Sequence, residues 1–234
     1  MNYIKFNWLF FLSLSFLLVL ILMIKVDSKS LVQAQTKITN TEKNDLTVLK
    51  FDPNEKCDTE ENRIETAKKA GQLACKWIEE IGAGSKDDPN SAFAMISKRR
   101  FCGEDYVAVL RYFEGMTAKS HIGEFIVLLH PVKPGLEKLK NPHTDMGNGY
   151  LVGEQHNAVG DLHPAGCWIP YLWTKPGTEI KREKITFVLR CKDKLTGMYM
   201  LPSSGIYASH THLKKLNPPE CKGAEDKNPY KNKN

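Results

Sequence analysis

The chain has 234 residues, 41% of them hydrophobic and 26% charged, with 33 Lys and Arg against 27 Asp and Glu. That length suits one domain with peripheral segments, and no linker-like stretch divides it in two. The net charge of +6 is dispersed along the sequence and forms no basic stripe of the kind that holds nucleic acid, which excludes nucleic acid as an expected partner.

Lys5 precedes an apolar run from Trp8 to Ile24 that carries no charge, and a polar stretch then ends in Val32-Gln33-Ala34. Residues 1–34 read as a secretory signal peptide with a small-residue cleavage site after Ala34; retention of the run as an N-terminal membrane anchor facing the periplasm is the alternative. Either way the rest of the chain is expected outside the cytoplasm, periplasmic or secreted. Loss of Lys5, Lys25, Lys29 and Asp27 would leave 30 basic and 26 acidic residues, a net charge of +4. Residues 35–57 form a polar leader.

Helical spacing then begins. Asp58-Thr-Glu-Glu61 is a capping-box pattern, and Ile64, Ala67, Ala70, Ala74, Trp77, Ile78 and Ile81 recur at the helix period before Gly82 and Gly84 end it. A shorter helix is expected from Asp88 as N-cap and Pro89 as first residue to about Arg99. From Asp105 the period changes to two. DYVAVLRYF and GEFIVLLHP read as strands joined by a loop containing Gly115, and residues 144–160 as a loop followed by a short helix. Three more strands are expected at 166–173, 184–191 and about 195–207. One long helix, one short helix and about five strands in adjacent pairs predict an α+β domain around an antiparallel sheet. Residues 209–234 are rich in Lys, Asn and Pro and read as a solvated, basic tail.

Six cysteines, Cys57, Cys75, Cys102, Cys167, Cys191 and Cys221, permit three disulfides in fifteen connectivities. In an oxidising compartment at least two are expected, with Cys57–Cys221, Cys75–Cys102 and Cys167–Cys191 as the preferred set. No CxxC or CxxCH occurs. His210-Thr211-His212 lacks carboxylate or cysteine partners at metal spacing, so it reads as a surface feature, and neither metal nor cofactor is expected.

The order Gly103-x-Asp-Tyr-Val-x-Val109, Leu129-His-Pro131, Asp145 with nearby glycines, Trp168-x-x-Tyr171-x-Trp173-x-x-Pro-Gly, Lys184-Ile-Thr-Phe-Val188 and Gly205-Ile-Tyr207 resembles the single Cache domain, a family of extracytoplasmic, PAS-like sensor modules. The resemblance spans residues 58–208. It implies a long N-terminal helix packed on a curved five-stranded antiparallel sheet, with a pocket on the sheet for a small organic ligand, commonly an organic acid or amino acid. By position it nominates Tyr171, Trp173 and Lys184 as ligand-binding, with His130 and Tyr150 as weaker candidates. The chemistry agrees in kind, since aromatic rings on a strand supply a dry wall and a lysine supplies charge for a carboxylate. Phe187 stands where the family often has a tyrosine, which removes a hydroxyl that could meet a ligand.

Two registers of the Trp173 hairpin exclude each other. One sets Trp173 opposite Lys184 and Tyr171 opposite Thr186, which places the aromatic and cationic groups on one face. The other sets Cys167 opposite Cys191 and Tyr171 opposite Phe187, and turns Lys184 away. The first is favoured, with a bulge at Pro170 to keep the sulfurs of Cys167 and Cys191 close.

No GxSxG nucleophile elbow or HExxH metal motif occurs, so a binding or sensing module is favoured over an enzyme. Because membrane-bound relatives continue into an output domain, this chain reads as a free-standing form that needs a separate membrane sensor protein as partner. A disulfide-braced structural or assembly domain with a vestigial pocket is the alternative, and a periplasmic enzyme is a more distant one.

Overall fold

The computed structural model describes residues 57–113, 126–138 and 152–221. Residues 1–56, which include the expected signal peptide and most of the expected leader, the connection around Gly115–Gly123, Tyr150 and residues 222–234 lie outside them.

Helix α1 spans Glu60–Glu80. Its cap is Thr59, whose side chain accepts from the Asn62 amide at 3.2 Å, while Asp58 accepts from the Asn62 side chain. The cap therefore lies one residue later than the Asp58 pattern suggests. At the other end Gly82 adopts φ +102° and its amide returns to the Trp77 carbonyl. That left-handed conformation favours glycine and closes the helix. The buried stripe is small: Ala67, Ala70, Gly71 and Ala74 let the helix lie close on the sheet, so that Ser204 Oγ donates to the Ala67 carbonyl at 2.6 Å. A Cβ at Gly71 would come 2.7 Å from that same oxygen.

The second helix is shorter than expected. It spans Ala92–Ser97 (α2) and starts at Ser91, which accepts from Ala94 N. Asp88 instead closes a local turn by accepting from Asn90 N.

The strands are β1 (Tyr106–Arg111), β2 (Val127–Leu129), β3 (Cys167–Thr174), β4 (Lys181–Val188), β5 (Cys191–Lys192) and β6 (Tyr199–Ile206), with helix α3 (Val152–Leu162) before β3. All pairings are antiparallel and the order is β2-β1-β6-β4-β3, with β5 paired to β6. The architecture is α+β, as expected from the sequence, with a sixth strand of two residues. Residues 195–198, expected to begin the last strand, instead lie in a turn in which Asp193 accepts from the Thr196 amide and hydroxyl.

The β3–β4 register differs from the expectation. Tyr171 pairs with Lys184, Trp173 with Arg182 and Cys167 with Val188, without a bulge. The strand begins at Lys181, so Lys184 sits inside it and is 3% exposed rather than standing at its first position, as the expected span 184–191 had it. The ladder keeps Tyr171, Trp173 and Lys184 on one face, as favoured, although the partners shift by two residues.

None of the preferred disulfide pairings occurs. The bonds are Cys57–Cys102 and Cys167–Cys221, and Cys75 and Cys191 are buried thiols. The second bond shows that the fold continues into the segment expected to be a solvated tail. A short helix α4 (Leu213–Leu216) leads to Asn217, whose amide clasps Trp168 by accepting from its N–H and donating to its carbonyl, both at 2.8 Å. His210 likewise holds this segment, with Nε2 3.2 Å from the carbonyls of Tyr171 and Lys184. Its role is to tie the C-terminal segment to the two strands that carry the site.

Candidate functional site

The sheet has two dressed faces. One carries α1. The other carries α3 and encloses a cavity lined by Tyr106, Ala108, Leu110, Val127, His130, Val152, His156, Tyr171, Trp173, Lys184 and Ser203. The cavity volume is about 30 Å³, room for one or two water molecules as the side chains stand. Four of the five nominated residues, Tyr171, Trp173, Lys184 and His130, line this one cavity. Tyr150 lies outside the described residues. Phe187 faces the other side, packed on Trp168 with ring centroids 5.5 Å apart and close beneath Gly71. Its lack of a hydroxyl therefore has no bearing on the cavity.

Lys184 reaches across the sheet. It leaves β4, passes over Gly205 of β6 and ends against Tyr106 of β1, with Nζ 3.4 Å from the Tyr106 hydroxyl, 4.5 Å from that ring's centroid and 5.2 Å from the Tyr207 centroid. The route requires a glycine. A Cβ at Gly205 would come 2.6 Å from Lys184 Cε, 2.3 Å from Thr186 Oγ1 and 3.0 Å from the Ile185 carbonyl oxygen. No carboxylate among the described residues lies within ion-pair distance of this buried ammonium. Two aromatic faces are its chief compensation.

Hydrogen bonds fix the tautomer of His130. Its Nδ1 accepts from Lys133 N at 2.9 Å, so Nε2 carries the proton and points to the Tyr106 hydroxyl at 3.3 Å. The ring is neutral at ordinary pH, because burial and the nearby ammoniums of Lys184 and Lys133 hold its pKa down at about 4. Glu137 accepts from the His130 backbone amide and pairs with Lys86 at 2.9 Å, which anchors the strand end that carries the histidine.

The Tyr106 hydroxyl thus receives hydrogen bonds from Lys184 and His130, which leaves its own proton to donate into the cavity. Burial raises its pKa well above the usual phenol value, so it stays a donor. The buried Trp173 indole N–H approaches the same hydroxyl without meeting hydrogen-bond geometry and has no other partner among the described residues. Tyr171 accepts from Thr186 Oγ1 at 2.9 Å and stands edge-on to Trp173, with centroids 5.9 Å apart. His156 closes the wall from α3. Its Nδ1–H donates to the Val152 carbonyl at 2.7 Å, and burial lowers its pKa to about 4, so it too is neutral.

Asp105 sits just outside the cavity in the tight turn Phe101–Asp105, where Cys102 (φ +47°) and Gly103 (φ +88°) reverse the chain. It is 2% exposed and receives Arg63 of α1 at 2.8 Å. Burial pushes its carboxyl above the ordinary value although Arg63 and Lys184 oppose that. The turn thereby connects the helix, the Cys57–Cys102 bond and Tyr106.

Sequence reasoning missed Tyr106, His156 and Ser203 as lining residues. Tyr106 stood in the Gly103–Val109 motif without being nominated, whereas His156 and Ser203 gave no local signal.

No family model matches the sequence, and no curated protein matches it. Among solved structures, a periplasmic sensor domain of a chemotaxis protein superposes with TM-score 0.51 at 19% identity, covering 65% of this chain and 100% of that one. A Cache chemosensory domain, solved for the basis of its carboxylic acid recognition, gives TM-score 0.46 at 18% identity over 64% and 92% of the two chains. A methyl-accepting chemotaxis protein from Vibrio parahaemolyticus gives 0.39 at 16% identity over 76% and 96%. The described residues share the fold of the first of these, that chemotaxis protein's sensor domain.

Proposed function

We propose that the chain is an extracytoplasmic sensing module that binds a small carboxylate, such as a short organic acid or an amino acid, in the cavity between β1, β3, β4 and α3. One observation carries the reading: a buried lysine is threaded over a glycine into a cavity and has no carboxylate partner among the described residues. A buried charge left uncompensated costs several kcal/mol, and an anionic ligand would supply the missing partner. The Tyr106 hydroxyl and the Trp173 indole N–H give two further donors around the same point. Two neutral histidines, Tyr171 and the aliphatic wall exclude water and favour a ligand with one anionic end.

The arrangement offers no nucleophile beside a base among these lining residues, and binding is the chemistry it supports. The test is a thermal-shift screen of small carboxylates, amines and neutral analogues on ligand-stripped protein. A carboxylate at 100 times its dissociation constant should stabilise the fold by about 2.7 kcal/mol. For a domain of this size the melting shift is roughly 5 to 10 °C. If only amines or neutral compounds stabilise, the ligand class is wrong; if no compound does, the structural reading with a vestigial pocket replaces this one.

A further inference from the structure

Two cysteines take no part in either disulfide. Cys75 lies on the sheet-facing stripe of α1 and Cys191 in β5, with relative exposures of 7% and 1%. They are neighbours across the packing of α1 on β5, and the Cys191 sulfur lies 3.9 Å from the Met200 carbonyl oxygen. The backbone on both sides of the pair is fixed. Lys194 N donates to the Ile78 carbonyl at 3.2 Å, and Ala83 N donates to Asp193 at 2.6 Å, which holds the last turns of α1 against the β5–β6 hairpin. The other four cysteines have already paired, so these two have no competing partner.

We propose that Cys75 and Cys191 are oxidised to a third disulfide that staples the C-terminal half of α1 to β5. Two buried, neighbouring thiols on elements whose backbones are held together, in a chain whose remaining cysteines are all bonded, are the pair that an oxidising compartment would close. The oxidant is a disulfide donor of the exported compartment, either a small disulfide or the disulfide of an exchange protein. The thiolate of one cysteine attacks a donor sulfur, forming a mixed disulfide and expelling one donor thiolate. The second cysteine's thiolate then attacks the protein sulfur of that mixed disulfide and expels the other donor sulfur. Two protein thiols lose two electrons and two protons, and one donor disulfide becomes two thiols.

Burial also sets the timing. Contact with Cys75 and burial raise the pKa of the Cys191 thiol, so in the packed fold it is neither ionised nor reachable. The exchange therefore happens while α1 is still undocked, and the bond is a product of folding outside the cytoplasm.

The experiment uses the full chain exported to an oxidising compartment, denatured with an alkylating agent and without reductant, then digested and mapped by mass spectrometry. Molecules that carry both Cys57–Cys102 and Cys167–Cys221 are scored, since those bonds report that the chain met a disulfide donor. The expected result is a cross-linked peptide containing Cys75 and Cys191, with neither residue alkylated. Alkylation of both residues in those molecules, or a bond from either to another cysteine, overturns the proposal. In the Cys75→Ala variant, Cys191 should be recovered alkylated as the sole free thiol, and its recovery in a bond with any other cysteine would also overturn it.

Discussion

Replacing Lys184 with methionine keeps the stem and removes the charge, which separates binding from packing. In the folded chain the ammonium is 3% exposed, donates to Tyr106 at 3.4 Å and lies over two aromatic rings at 4.5 and 5.2 Å. Removing it forfeits these contacts, worth about 0.5 to 2 kcal/mol for each cation–π pair, but also removes a desolvation cost of several kcal/mol. The unliganded Lys184→Met protein should accordingly melt within a few degrees of wild type, or above it. A bound carboxylate, by contrast, loses a charge-assisted hydrogen bond worth about 1.5 to 3 kcal/mol, which weakens affinity roughly ten- to a hundredfold. Isothermal titration calorimetry with a carboxylate hit from the screen measures this directly. Because the pair would be buried, the loss should persist at moderate salt, where exposed charges are screened. An unchanged dissociation constant in Lys184→Met refutes the assignment of the site, whatever happens to stability.

Gly205→Ala should lower the melting temperature by roughly 3 to 10 °C, the consequence of about 1 to 3 kcal/mol of overpacking. The new Cβ would press on Thr186 and on the stem of Lys184, so carboxylate affinity should fall as well; a variant as stable as wild type would show that the lysine does not take this route. Acid should destabilise the fold through His130 and His156. Both have folded pKa values near 4, below the unfolded value of about 6.5, so the unfolded chain takes up protons first as pH falls from 6.5 to 4. The stability each neutral ring contributes, on the order of 3 kcal/mol, is complete above pH 6.5 and is lost across that window. Urea midpoints at pH 7 and 4.5 should differ accordingly and His130→Gln should reduce the difference; equal midpoints for the wild type would contradict the burial of neutral histidines.

The parts of the site legible in the sequence were those governed by period alone. In an antiparallel pair the side-chain face depends only on whether the paired numbers have an odd or even sum. Tyr171, Trp173 and Lys184 therefore share a face in the observed register as in the favoured one, although each partner moved by two residues. Pro170 was misread for want of the sheet order. In β3, the edge strand, the N–H and carbonyl of Trp168 point outward to Asn217, and two residues on, the ring nitrogen of Pro170 points the same way. Its missing donor therefore removes no bond to β4, and no bulge is needed. The C-terminal segment was illegible for a related reason. Its composition is that of a solvated tail, but one asparagine amide and one disulfide dock it on the exposed edge of β3, and composition carries no trace of two such contacts. Helix α3 was expected as the short helix that ends the 144–160 segment, but its burial was not legible: Glu154, Gln155, His156 and Asn157 are polar letters in a helix buried on every side, so no hydrophobic stripe could announce it. Tyr106 and Gly205 lie deepest beyond local reading. Their roles exist only because β6 runs between β1 and β4, which lets a lysine on β4 cross a glycine to meet a phenol two strands away; that adjacency is a property of the strand order, and no spacing within either segment encodes it.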